Sequence, residues 1–425
     1  MAETLFAYTI TNESYSTGTA GAINGDRSAT SPTAFTAQKD KITGLNGDPA
    51  VFNFFDTATQ SRLVLRQYTY SPTAEPYKII NPFASSWTPS IVLPEPSWSN
   101  VANLHAVATK ENWLYATGYD LARIAVIDMT DGYTESTSYQ FPTAWPSISL
   151  PATAECHGEG LVAVGDYLYA LFTVNPNGGY AVYSNSIVVK LEIDTITGEL
   201  SYVSHLEVGK NAFTLELFNN KLYVCALGGM QNAGSANADT RLDIIDLATF
   251  TKTSVSTISS IGGDFRDITI RDASNAYIFV GHYDANFLNM VGGVYRTSVA
   301  NIPSPSAWTK VATVNSPGYL WGIYAETNRL WFIKGTPVEI FAPLPAAAAT
   351  PAKSFSQVEL GNFGASANLN SATIVAPNPT MASGAAFKAA VAKSFASHAV
   401  LAQQARQAAE ALKAAAEAAA GEEKK

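Results

Sequence analysis

Two histidines and two carboxylates recur at related positions along this chain, and together they could do chemistry. They are His105, His157, Glu159 and Asp267, with Arg266 beside the last and Trp321 in register with it. Two imidazoles with two carboxylates suit a divalent metal or an acid/base pair, since both group types ligate such ions and move protons near neutral pH. The most site-like stretch is CHGEG (156–160), where glycines would let a ligand approach the backbone closely. A tight lead-in to a strand would use the same residues. Arg266 and Asp267, which follow GGDF (262–265), carry the same two readings. For the whole set the structural alternative is a polar lining that holds water. The chain contains no GxSxG elbow, HExxH, Walker loop, CxxC or EF-hand loop.

These positions are related by a repeat. A short apolar strand followed by a polar turn and a second strand recurs every 54 residues, at WLYATG (113–118), YLYALF (167–172), KLYVCA (221–226), AYIFVG (276–281) and RLWFIK (329–334). Leu114, Leu168, Leu222, Ala276 and Leu330 are then equivalent. A strand repeat of this length is the signature of a β-propeller. The first strand of each unit lines the central channel. One ring of residues would contain Asn103, His157, Asn211, Phe265 and Tyr319; a second, two residues on, would contain His105, Glu159, Phe213, Asp267 and Trp321. Side chains two apart share one side of a strand, so His105, His157, Glu159 and Asp267 are expected to converge near one channel mouth.

The period extends to the chain ends. TLFAYTIT (4–11) reads as a second strand without a first, and NSATIV (370–375) supplies the missing partner. AVFNFFD followed by RLVLRQYTY adds a copy over 50–70. The expected fold is therefore all-β, a seven-bladed propeller closed by both termini, which removes exposed edges. A six-bladed ring with loose terminal strands is the alternative. Gly/Asn-rich insertions at 175–185 and 228–239 occupy the same connection in adjacent repeats and should project from one face, as binding elements or as tolerated elongations.

Composition agrees with a large β core. Hydrophobic residues make up 47% of the 425 and charged residues only 14%, below the quarter or so usual for globular chains. No apolar run is long enough to span a membrane. Met1-Ala2-Glu3 leads straight into a strand, with neither a basic segment nor an apolar signal core. That fits a mature exported form with an added Met, hence an extracellular or cell-surface location, or else a cytoplasmic protein. Cys156 and Cys225 are expected to be buried free thiols.

The chain divides into a propeller over 1–379 and an Ala-rich helical tail over 380–425. The tail places Phe387, Val391, Ser394, His398, Leu401, Ala405, Ala408 and Leu412 on a heptad seam. Such a seam packs on the propeller or on another copy; a non-native extension and a disordered tail are the other readings. Six Lys or Arg against four Glu give the tail +2, so the remainder carries −11 of the total −9. An acidic ring argues against nucleic acid, whose binding needs clustered Lys and Arg.

RIAVIDMTDG (123–132), VVKLEIDTITGEL (188–200), RLDIIDLATFTK (241–252) and, loosely, FNFFDTATQ (52–60) look like the third strand and Asp-Thr turn of another group of proteins. They resemble YVTN-type and related WD40-like seven-bladed propellers. In that turn the Asp accepts backbone N–H bonds. The resemblance implies a propeller and, for function, either a lactonase or a surface or binding protein, because it carries no catalytic set onto these residues. Two functions therefore stand. The first is a non-enzymatic extracellular or cell-surface scaffold, with a helical tail for assembly or anchoring and a small molecule or glycan at the channel mouth. It needs no cofactor. The second is a hydrolase or lyase acting on a small carbohydrate or lactone, with His105, His157, Glu159 and Asp267 around a divalent metal.

Overall fold

Middle strands such as YLYALF and KLYVCA are apolar at nearly every position, because both faces of the sheet they belong to are covered. Leu168, Ala170 and Phe172 enter one apolar cluster while Tyr169 and Leu171 enter the next. The structure, a computed structural model, describes residues 3–45, 47–57, 60–68, 77–89, 91–93, 98–141, 150, 154–178, 182–258, 260–317, 321–335, 337–375 and 393–394.

These residues form a seven-bladed propeller of antiparallel sheets. Blade 1 runs outward through Asn368–Ile374, Glu3–Thr11, Gly18–Gly25 and Thr36–Leu45; blade 2 through Asp48–Thr57, Gln60–Tyr68, Lys78–Ile80 and Ile91–Val92. Blade 3 has Leu104–Lys110, Trp113–Gly118, Arg123–Asp128 and Thr134–Gln140; blade 4 has Glu155–Val164, Tyr167–Asn175, Asn185–Ile193 and Leu200–Lys210. Blade 5 has Ala212–Phe218, Lys221–Ala226, Arg241–Asp246 and Thr251–Val255. Blade 6 has Asp264–Asp272, Asn275–Tyr283, Met290–Thr297 and Thr309–Ser316; blade 7 has Trp321–Ala325, Leu330–Lys334, Val338–Phe341 and Lys353–Phe355.

Both chain ends close blade 1, as the repeat implied. Phe6 pairs with Ile374 and Tyr8 with Ala372, so NSATIV is the inner strand beside TLFAYTIT. The closing interface stacks Phe6 on Trp331 at 5.0 Å between ring centroids, and Arg27 joins Glu3 of blade 1 to Glu326 of blade 7.

Side-chain hydrogen bonds pin every joint between neighbouring blades to a backbone group. Val51 N–H donates to Ser371 Oγ (3.2 Å), Arg66 Nη1 to Leu104 O (3.0 Å) and His157 Nδ1 to Tyr119 O (2.7 Å). Ala212 N–H donates to Ser186 Oγ (3.0 Å), Ile270 N–H to Glu216 Oε1 (2.7 Å) and Ile323 N–H to Asp267 Oδ2 (2.8 Å). Tyr324 Oη donates to Ala372 O (3.1 Å) and completes the circle. Buried backbone groups need such partners where no neighbouring strand supplies one.

The third-strand turns behave as their sequences suggest. Asp128 Oδ1 accepts from Thr130 N–H, Asp194 Oδ1 from Ile196 and Thr197 N–H, and Asp246 Oδ1 from Ala248 and Thr249 N–H. FNFFDTATQ is different: residues 52–57 belong to the inner strand of blade 2, not to a third strand. Its alternation is lost because Phe52 and Phe54 pack toward blade 3 and Val51 toward blade 1. Cys156 and Cys225 are buried thiols, and neither forms a disulfide. Of the tail, only Lys393 and Ser394 are described. They form a two-residue strand beside Ser371 and Ala372, so at these two positions the chain is extended rather than helical. The rest of the expected helix, with Phe387, Val391 and Leu401, lies outside the described residues.

Candidate functional site

Each inner strand begins at one face of the ring, and in five of the seven blades a β-bulge there re-aims one side chain. The pairing skips His105 in blade 3, Glu159 in blade 4, Phe213 in blade 5, Arg266 in blade 6 and Asn370 in blade 1. A bulged residue leaves the ladder and turns out of the regular alternation, which is why bulges gather at rims and sites.

In blades 3 and 4 this brings two expected residues together. His105 Nδ1 lies 3.3 Å from Glu159 Oε2, with both side chains almost fully buried. Burial pushes the Glu159 carboxyl well above the usual carboxylate range, partly countered by the Thr173 hydroxyl. Tyr119 packs against both imidazoles, stacked on His157 at 4.1 Å and tilted against His105 at 4.9 Å. The carbonyl of Tyr119 can only accept, so His157 holds its proton on Nδ1. Burial also lowers the His157 pKa and favours the neutral ring.

Asp267 and Arg266 do not join them. Asp267 Oδ1 accepts from Ile268 N–H and Oδ2 from Ile323 N–H, which spends the carboxylate on the joint with blade 7. Counting by 54 from Phe213 reaches Asp267, yet the bulge falls on Arg266. A second bulge at Arg271, between Ile270 and Asp272, adds one residue below and shifts the register above it by one. Trp321 starts the inner strand of blade 7 opposite Lys334; its side chain lies outside the described residues, as does Tyr319.

Arg266 instead clasps a loop. It donates to Gly281 O (2.9 Å), to Gln231 Oε1 (2.8 Å) and to Asp264 Oδ2 (3.3 Å), while Asn237 N–H donates to Asp264 Oδ1 (2.7 Å). Gly234 N–H reaches Tyr283 O at 2.9 Å. The 228–239 insertion does occupy the same connection as 175–185, between second and third strands, but it is fastened onto blade 6. Burial raises the Asp264 carboxyl to about 6 against the pull of Arg266, and lowers the Arg266 guanidinium.

Sequence reasoning missed Arg66, Tyr119 and Thr173. Arg66 is fully buried and bonds Asp48, Asn103 and Leu104; a charge inside the apolar run RLVLRQY was the available signal. Phe213 stands in the mouth and packs against the cluster of blades 5 and 6 and also that of blades 7 and 1, so it reaches across the channel. Among the described residues no three His, Cys, Asp or Glu side chains come together to hold a metal ion. The four-residue set expected around a metal is thus divided: one close pair, one neighbouring histidine and one joint carboxylate.

The sequence matches no protein-family model and no curated protein. Among solved structures, a candidate 6-phosphogluconolactonase from Bacteroides fragilis is similar with a TM-score of 0.51 and 10% identity, over 83% of this chain and 98% of that one. A Lactobacillus plantarum protein gives 0.48 and 12%, over 84% and 100%. The GH74 enzyme of Niastella koreensis gives 0.47 and 13%, over 82% of this chain and 54% of that chain, so this chain spans about half its length. At 10% identity the likeness to the Bacteroides fragilis protein shows the propeller fold alone. No helix among the described residues is long and apolar enough to cross a membrane.

Proposed function

We propose that the chain is a non-enzymatic scaffold of the cell exterior or surface, a propeller over 1–379 that binds at its channel mouth and assembles through its tail over 380–425. The observation that carries this reading is the employment of the channel's ionisable groups. Asp267, Glu216, Arg66 and His157 each hold a backbone group of a neighbouring blade, which is a structural duty. A catalytic carboxylate with both oxygens on backbone N–H groups has little left to offer a substrate. Metal analysis of the purified chain, with melting in chelator, tests the proposal. Substoichiometric metal and an unchanged melting temperature are expected; one tightly held ion per chain would overturn it.

A second reading rests on one feature. Glu159 is almost fully buried, has a raised pKa and touches His105, as a general acid for a small carbohydrate or lactone would. Under that reading Glu159→Gln abolishes turnover of a lactone substrate. A chain without such turnover leaves the scaffold reading in place.

A further inference from the structure

We propose that the channel mouth at blades 3 to 5 binds a small uncharged polyhydroxy ligand, a sugar or polyol, through Glu159 and Thr173 with Phe213 as its apolar wall. The inference rests on the binding role just given to the mouth and names what it takes.

Three consecutive bulges bring His105, Glu159 and Phe213 to one rim. Phe213 stays partly exposed between buried neighbours, while the Glu159 side chain is almost fully buried beside His105. Behind them lies Thr173, fully buried on the second strand of blade 4 opposite His157. Its hydroxyl has no hydrogen-bond partner among the described residues, although it is near enough to Glu159 to lower that carboxyl's pKa. A buried hydroxyl left this way calls for a bridging oxygen. A ligand O–H both donates and accepts, so one hydroxyl can satisfy Thr173 and Glu159 together, directly or through one water.

Charge narrows the class. The buried carboxyl beside an imidazole resists ionising, and a second buried charge next to it would go uncompensated. Sugars and polyols combine hydroxyls with an apolar C–H face, and Phe213 offers the aromatic surface on which such a face packs. The titratable groups near the carboxyl are His105 in blade 3, Tyr119 packed against both imidazoles and His157 on its own strand; Thr173 and Phe213, from the second strand and from blade 5, do not titrate.

Saturation-transfer NMR on the full chain tests this, with glucose, galactose and myo-inositol as uncharged probes and gluconate and glucosamine as charged counterparts. At least one uncharged probe should bind, with the charged counterparts about tenfold weaker. Thr173→Val, at unchanged melting temperature, and Phe213→Leu, with a small fall in it from lost packing, should each weaken binding about fivefold. Binding should weaken as the Glu159 carboxyl ionises, above the usual carboxylate range, and persist in Glu159→Gln, whose amide stays neutral. Tighter binding of gluconate or glucosamine overturns the ligand class, and silence from all three uncharged probes overturns the proposal. Neither result touches the scaffold reading, which the metal and melting measurements judge without any probe.

Discussion

His105 and Glu159 are 54 residues apart in the chain and 3.3 Å apart in space. They occupy the same bulge in neighbouring blades, so one sequence period becomes one step around the ring. Propeller closure converts a repeat in sequence into a contact wherever two equivalent residues are both long and polar. In blades 1 and 6 the equivalent bulge residues, Asn370 and Arg266, bond within the wall instead, to Asp48 and to Asp264.

Asp267 is the residue for which structural and catalytic duties make opposite forecasts. Asp267→Ala takes the acceptor from the buried Ile323 N–H, which should cost about 1–3 kcal/mol in urea unfolding. Asp267→Asn keeps one acceptor and should recover part of that loss. Probe binding at the mouth should be unchanged in the Asn variant. A stability loss below about 0.5 kcal/mol for the Ala variant would contradict the joint assigned here.

Asp264 gives the clasp of the 228–239 loop a pH signature. Its folded pKa of about 6 lies above the ordinary 3.8, so between these values the native state binds more protons than the unfolded chain. Its contribution to stability is fully present below about pH 4 and is lost as pH rises through 6, by about 3 kcal/mol in all. Urea midpoints across that window should fall with this slope and flatten in Asp264→Asn. A slope of the opposite sign would mean that Arg266 outweighs burial.

The inner strand Asn368–Ile374 is the joint on which ring closure depends. Deleting residues 370–376 removes its ladder bonds to Glu3–Thr11, the Ser371 pin on Val51 and the acceptor of Tyr324. The loss should reach several kcal/mol. Tyr324→Phe alone should cost about 1 kcal/mol. An unchanged melting temperature in the deletion would mean that blade 1 needs no inner strand.

The fold could be read from the chain because its signal is local and repeated. Middle strands such as YLYALF are buried on both faces, so their apolar runs are unbroken and the 54-residue spacing stands out. The channel mouth was only half legible. The period found His105 and Glu159, but a single extra residue at Arg271 moved Arg266 into the bulge and Asp267 into the joint. Bulges leave no clear mark in residue type, since His, Glu, Phe, Arg and Asn all occupy them. Tyr119 and Thr173 depend on packing between strands, which periodicity does not report.

The tail's role can be separated from the ring's. Were residues 380–425 to form the expected helix, Phe387, Val391, Leu401 and Leu412 among alanines would give it only a thin apolar seam, and isolated helices are marginal even when Ala-rich. Assembly through it therefore requires a second copy or a partner to cover the seam. Phe387→Asp with Val391→Asp puts two carboxylates on it, which should convert an oligomer to monomer in light scattering while the melting temperature stays put. The ring's apolar clusters come from its own blades, so that independence is expected. If the unsubstituted chain is already a monomer and protease readily removes 381–425, the assembly role fails.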